Sequence, residues 1–130
     1  MNIRVGIRTA LLADGTVAGL IGTRAYYKLL PQDPTYPALT LEQISGDPLN
    51  TVNSVPALSW ARIRVNAWGK TYAAADALGI AVEDALNGET FSLTGLEIGS
   101  IVADGMRDFY EPQVSAHYMT QDYRIYYKET

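Results

Sequence analysis

The sequence predicts an α+β fold, a mostly antiparallel sheet of four to five strands with helices packed on one of its faces. Three observations carry that expectation. Residues Ala57 to Trp68 alternate, with Ala61, Ile63, Val65 and Ala67 on one side and Trp60, Arg62, Arg64, Asn66 and Trp68 on the other, the two-residue period of a half-buried strand. This strand turns through Gly69-Lys70 into an alanine-rich segment in which Ala75, Leu78, Val82, Ala85 and Leu86 form one apolar stripe, the mark of a helix lying on a sheet. The remaining strand-like runs are short and bounded by Gly, Pro and Asn, as hairpin strands are.

The elements follow in order. Ile3, Ile7, Ala10 and Leu11 mark one face of a helix that reaches about Ala13, and Asp14 is placed to cap a second short helix through Ile21, which Gly22 stops. Val5 and Leu12 lie on the opposite side of the first helix, turned toward the second helix or another subunit. A strand is expected at Ala25 to Leu30, ended by Pro31, and Pro34 and Pro37 make the next stretch an extended loop. A second strand, Ala38 to Ser45, leads to a polar connection from Gly46 to Pro56 that carries Gly46, Pro48, Asn50, Asn53, Ser54 and Pro56. The long alternating strand and its helix come next, the helix ending at Asn87-Gly88, where glycine supplies a left-handed residue. Two further strands, Leu93 to Ala103 and Val114 to Lys128, are separated by a loop from Asp104 to Pro112. No repeat or low-complexity tail interrupts the series.

A chain of 130 residues has the length of a single domain spanning 1–130, long enough to bury one sizeable core. It contains no cysteine, which excludes disulfides and thiol chemistry. Its longest apolar runs, such as Ala10 to Ala13, are far shorter than a signal-peptide core or membrane span, so a soluble protein made without a secretion signal is expected. Ten Lys and Arg against fourteen Asp and Glu give a formal charge of -4, so no general field attracts nucleic acid or an anionic membrane. Nine tyrosines stand against two phenylalanines. Tyrosine suits surfaces exposed first and buried later, although its strand propensity explains the excess equally well.

Each candidate for chemistry has a plainer reading. Gly69-Lys70-Thr71 follows a strand and opens a helix, the setting of a phosphate-binding loop, but Arg64 occupies the position where that loop requires its first glycine. Lys70-Thr71 is therefore read as the start of a helix. His117 is the only histidine and lacks partners for a zinc or nucleophilic set, so a structural role is expected. Asp104, Asp108 and Glu111 fall in the expected final loop without the ligand spacing or central glycine of a calcium loop, and read as a solvated acidic turn. Asp76, Glu83 and Asp84 read as the wet side of the long helix. Trp60, Arg62, Arg64 and Trp68 resemble the aromatic and basic platform of RNA-binding sheets, but the glycine and aromatic pattern of the RNA-recognition motif is absent. The residues indicate no enzyme, cofactor or metal.

The whole chain resembles the phage tail completion or tail terminator family of head-to-tail joining proteins over nearly its full length. The resemblance is carried by Ile7-Arg8-Thr9-Ala10-Leu11-Leu12-Ala13-Asp14, by Leu20-Ile21-Gly22-Thr23-Arg24-Ala25-Tyr26, and by Leu30-Pro31-Gln32 followed by Tyr36-Pro37-Ala38-Leu39-Thr40-Leu41. Val65-Asn66-Ala67-Trp68 leading to Ala75-Asp76-Ala77-Leu78, and the closing Tyr123-Arg124-Ile125-Tyr126-Tyr127, are its stronger parts. It implies a virion protein without catalytic residues, assembled in the host cytoplasm and placed at the head-proximal end of the tail. There, as a ring, usually hexameric, it stops the tail tube and meets the head connector. Its implied partners are copies of itself, the tail tube protein and the head connector, with no specific nucleic acid and no membrane. On this reading Val5, Leu12, Trp60, Arg62, Arg64 and Ile80 are candidates for the oligomer interface. Leu49, Val52, Asn53 and Val55, in a connection that matches nothing in the family, are candidates for docking a tube or connector subunit. Another virion connector or minor tail protein, a small-molecule binding or enzymatic α+β domain, and an RNA-binding sheet are the competing readings.

Overall fold

The computed structural model describes residues 1–48 and 59–129. In chain order the elements are α1 (Ile3–Ala13), α2 (Gly15–Ile21), β1 (Ala25–Tyr27), β2 (Ala38–Pro48), β3 (Ser59–Gly69), α3 (Tyr72–Leu86), β4 (Phe91–Leu93), β5 (Leu96–Glu111) and β6 (Ala116–Glu129). The six strands form one sheet in the order β1-β2-β3-β6-β5-β4.

Local chemistry starts each helix. The Asn2 side chain accepts from the Val5 amide, Asp14 accepts from Thr16 and Val17 at 3.0 Å, and Thr71 accepts from Ala74 at 3.1 Å, satisfying amides that a first turn leaves unpaired. All three helices pack on one face of the sheet. The stripe of α3 and the inner faces of α1 and α2 close over Leu39 and Leu41 of β2, Ala61, Ile63, Val65 and Ala67 of β3, and Tyr123 and Ile125 of β6. Gly79 lets α3 approach closely: a Cβ there would stand 3.1 Å from the Gln121 amide nitrogen. That nitrogen donates to the Gly79 carbonyl at 2.7 Å, and the Tyr123 hydroxyl donates to the Gln121 oxygen at 2.7 Å. Two polar side chains inside the core are thus satisfied by each other and by the helix backbone. Burial pushes the Tyr123 hydroxyl pKa up, with Glu83 and Asp84 of α3 adding to the effect.

Several boundaries differ from expectation. The sheet has six strands, and β1 runs parallel to β2. The first strand stops at Tyr27 because Lys28 takes a φ of 70°. The chain then returns to begin β2 beside β1, where the Arg24 side chain fastens the Pro37 carbonyl at 2.9 Å. β2 continues through Gly46 to Pro48, past the expected start of the connection, with a bulge between Gln43 and Ser45 that leaves Ile44 exposed. Gly46 is needed there, since a Cβ would meet the Trp60 carbonyl at 2.6 Å. Residues 49–56 of that connection, with the docking candidates Leu49, Val52, Asn53 and Val55, lie outside the described residues.

The largest correction concerns Asp104 to Pro112. This stretch is strand as far as Glu111, and the turn is confined to residues 112–115. A bulge between Ala103 and Met106, with Gly105 at φ 133°, absorbs the irregularity. The acidic residues that read as a loop have tertiary partners: Asp104 is bonded by Arg62, and Asp108 accepts from the Tyr72 hydroxyl. Upstream, the expected strand Leu93 to Ala103 is divided at Thr94-Gly95 into β4 and β5, Gly95 taking a φ of 82°.

Candidate assembly surfaces

The face of the sheet away from the helices is lined by alternate residues of β3 and β6, and its side chains bond to one another. At one end the Arg124 guanidinium lies 4.3 Å from the Trp60 ring centre and donates to the Tyr126 hydroxyl at 3.0 Å. In the middle, Asp122 of β6 receives Arg62 at 3.1 Å and Arg64 at 2.8 Å, while Arg62 also reaches Asp104 of β5. Burial pushes the Asp122 carboxyl up, but the hydrogen bonds from Arg64 and Arg62, with the charge of both, outweigh it and hold the pKa below the ordinary carboxylate value. Arg64 is correspondingly raised by its bond to Asp122. Two cations and two anions form a closed group, and beside them runs a cleft of about 410 Å³ that Met106 and Arg107 help to line.

The next row is polar and continuous across three strands. Asn66 and Trp68 donate to the Thr40 hydroxyl at 3.2 and 3.1 Å, and Thr120 donates to Asn66 at 2.8 Å. At the far end Trp68 stacks on Tyr118 at 4.3 Å and Tyr118 on Phe109 at 5.1 Å, with the Arg107 guanidinium 5.4 Å from the Phe109 ring centre. The rings are therefore stacked on each other and the central arginines are neutralised within the face.

The interface candidates divide accordingly. Trp60, Arg62 and Arg64 share the open face, Val5 is exposed on α1, and Ile80 projects from α3 at 51% exposure. Leu12 is half-buried and packs against the core. Lys70 is exposed, Thr71 caps α3, and Gly69 pairs with His117. His117 sits between Tyr72 and Tyr110, at 6.0 and 4.8 Å between ring centres. Because this stretch is extended strand, Asp104, Asp108 and Glu111 are spread along β5 rather than gathered. Asp122 was missed by sequence reasoning, although its alternation with Tyr123 places it opposite the core.

The sheet also has two unlike edges. Among the described residues β5 pairs with β6 alone from Met106 to Glu111, and β4 covers only Leu96 to Ile98. Asn87 and Gly88 close the outer side as far as Ala103, where Asn87 accepts from the Ala103 amide and the Gly88 amide donates to Ile101. Beyond that point Met106 and Tyr110 are 52% and 53% exposed. At the opposite edge, Tyr27 and Leu29 are 48% and 76% exposed. No helix among the described residues is long and apolar enough to cross a membrane.

An α+β domain whose polar groups are spent on one another and whose apolar excess lies along its edges has the character of an assembly protein. The same fold occurs in a chain of a solved structure described as the virion of a native gene transfer agent (GTA) particle, with a TM-score of 0.71 at 18% identity, covering 98% of this chain and 99% of that one. A comparison with curated proteins finds no match. The sequence model described as tail completion protein gp17 matches residues 5–128, and the chain belongs to that family. It is a structural protein of the phage tail.

Proposed function

We propose that this protein closes into a ring, hexameric as the family resemblance implies, that ends the tail tube at its head-proximal side and joins it to the head connector. The observation that carries the reading is the exposure of large apolar side chains at both ends of the sheet and on α3, on a subunit whose core is otherwise closed. A monomer has little reason to keep such residues, whereas cyclic symmetry buries unlike patches against each other. Trp60, Arg62 and Arg64 on the open face, with Val5 and Ile80 on the helices, are the surfaces available for those contacts and for the tube. The segment holding Leu49, Val52, Asn53 and Val55 is assigned to docking the tube or connector subunit.

The test is sedimentation and light scattering at micromolar concentration, with and without isolated tail tubes, followed by imaging of the assemblies. Discrete rings are expected, and Ile80→Glu should fold normally while lowering the yield of joined particles. A strict monomer under both conditions, with Ile80→Glu assembling virions normally, contradicts the proposal.

A further inference from the structure

Strand register places the two exposed edges opposite each other. Tyr26 of β1 pairs with Thr40, Thr40 with Asn66, Asn66 with Thr120, and Thr120 with Arg107 of β5. On either side of this row the same partners connect Tyr27 to Met106 and Ala25 to Asp108. The basic rim around β1 and the open part of β5 are therefore the two ends of one line across the sheet.

Their charges are opposite. Residues 1 to 30, which form α1, α2 and β1, carry Arg4, Arg8, Arg24 and Lys28 against the single acid Asp14, and the one acid of β2 beside Arg4, Tyr27 and Lys28 is Glu42, so the rim stays net positive. Residues 72 to 111, which form α3, β4 and β5, carry eight acids against Arg107. Among the described residues none of the four rim cations has a carboxylate within 4 Å; Arg4 is bonded to the Gln43 side chain, while Arg8 and Arg24 hold backbone carbonyls. Asp108 and Glu111 flank the apolar pair Phe109 and Tyr110 on the open edge.

These facts also decide between modes of pairing. An uncovered strand invites a second copy of itself, but β5 against β5 would bring like charges together and produce a closed dimer. The rim offers little backbone for strand addition, because the Ala25 carbonyl is taken by Arg8 and the Tyr27 carbonyl by the Leu29 amide. Contact between edge and rim must therefore be made by side chains.

Resting on the ring reading above, we propose that the open edge of β5, Asp104 to Glu111, seats against the basic rim of the next copy, formed by Arg4, Tyr27, Lys28 and Leu29. Met106, Phe109 and Tyr110 meet Tyr27 and Leu29, and Asp108 and Glu111 face Arg4 and Lys28. The contact is heterologous, so it repeats around a ring instead of stopping at two.

The chain lacks cysteine, so one pair reports the contact. Tyr27→Cys with Met106→Cys, oxidised at micromolar concentration, should give a ladder of covalent multimers on a denaturing gel, and either change alone should give none. Reversing the rim (Arg4→Glu, Lys28→Glu) should weaken association about tenfold at low salt, a size in keeping with two exposed charges. Reversing the edge as well (Asp108→Lys, Glu111→Lys) should restore it. If rings form but the cysteine pair stays monomeric and rim reversal has no effect, edge-to-rim contact is overturned while the ring stands. Dimers from Met106→Cys alone, or cross-links only to tube subunits, overturn it too. A wild-type protein that never assembles defeats the ring reading itself.

Discussion

Replacing Asp122 with asparagine removes the charge that holds two arginines on the open face. The Asp122 side chain is only 11% exposed and takes hydrogen bonds from Arg62 at 3.3 and 3.1 Å and from Arg64 at 2.8 and 3.2 Å. Both guanidinium groups remain about one-third exposed, so water softens the loss, and the cost lies between that of a surface pair and that of a buried one, about 2 kcal/mol. For a domain of this size that lowers the thermal midpoint by roughly 6 °C. The pH dependence has a definite sign. A carboxyl held below its ordinary value stabilises the fold fully above the unfolded-state pKa, about 3.9, and loses that contribution as pH falls through its lower folded-state value. Thermal melts followed by circular dichroism should show a constant gap between wild type and Asp122→Asn from pH 5 to 8, narrowing below about pH 4. A gap under 1 °C at pH 7, or one that persists unchanged in acid, refutes the assignment of Asp122 as the charged anchor of this face.

Three other outcomes are expected. Gly69→Ala would place a Cβ 2.5 Å from the Ala75 amide nitrogen; chemical denaturation should show a loss of about 1–3 kcal/mol, since the obstacle is the backbone of α3. Tyr123→Phe removes the donor to Gln121 and should cost about 1 kcal/mol at pH 7. The raised Tyr123 pKa stabilises the wild type below the unfolded tyrosine value, about 10, and loses effect as pH rises beyond it, so melts above pH 10 should bring variant and wild type together. Replacing residues 49 to 55 with a Gly-Ser linker should leave the thermal midpoint within a few degrees while lowering the yield of infectious particles; a collapsed midpoint or an unchanged yield removes the docking role from Leu49, Val52, Asn53 and Val55.

Periodicity was a dependable guide where one face of an element is dry. The alternation of Ala61, Ile63, Val65 and Ala67, the stripe of α3, the cap at Asp14 and the helix start at Lys70-Thr71 all appear where the residues place them. It failed where long-range partners outweigh local preference. Asp104 and Asp108 look like turn residues, yet Arg62, 42 positions away, and Tyr72, 36 positions away, hold them in a strand. Asp122 lay hidden for the same reason, since nothing near it in sequence announces two arginines. The parallel pairing of β1 depends on how residues 28–37 return, a matter of three-dimensional closure rather than pattern. The opposite charges of the two edges were present in the sequence, but only the strand order turns two separated segments into two ends of one line.

That line has a length. Four interstrand steps separate β1 from β5, about 19 Å at the usual spacing near 4.8 Å. Hydrogen-bonded strands hold that spacing whatever the side chains do, so in the proposed edge-to-rim ring the step from one subunit to the next would be counted in whole strands. Insertions in the connections at 28–37 or 112–115 would leave it unchanged, whereas gaining or losing an interior strand would alter it by one such increment. The sheet thus acts as a ruler, and a ring built on it can drift in loop sequence while keeping its circumference.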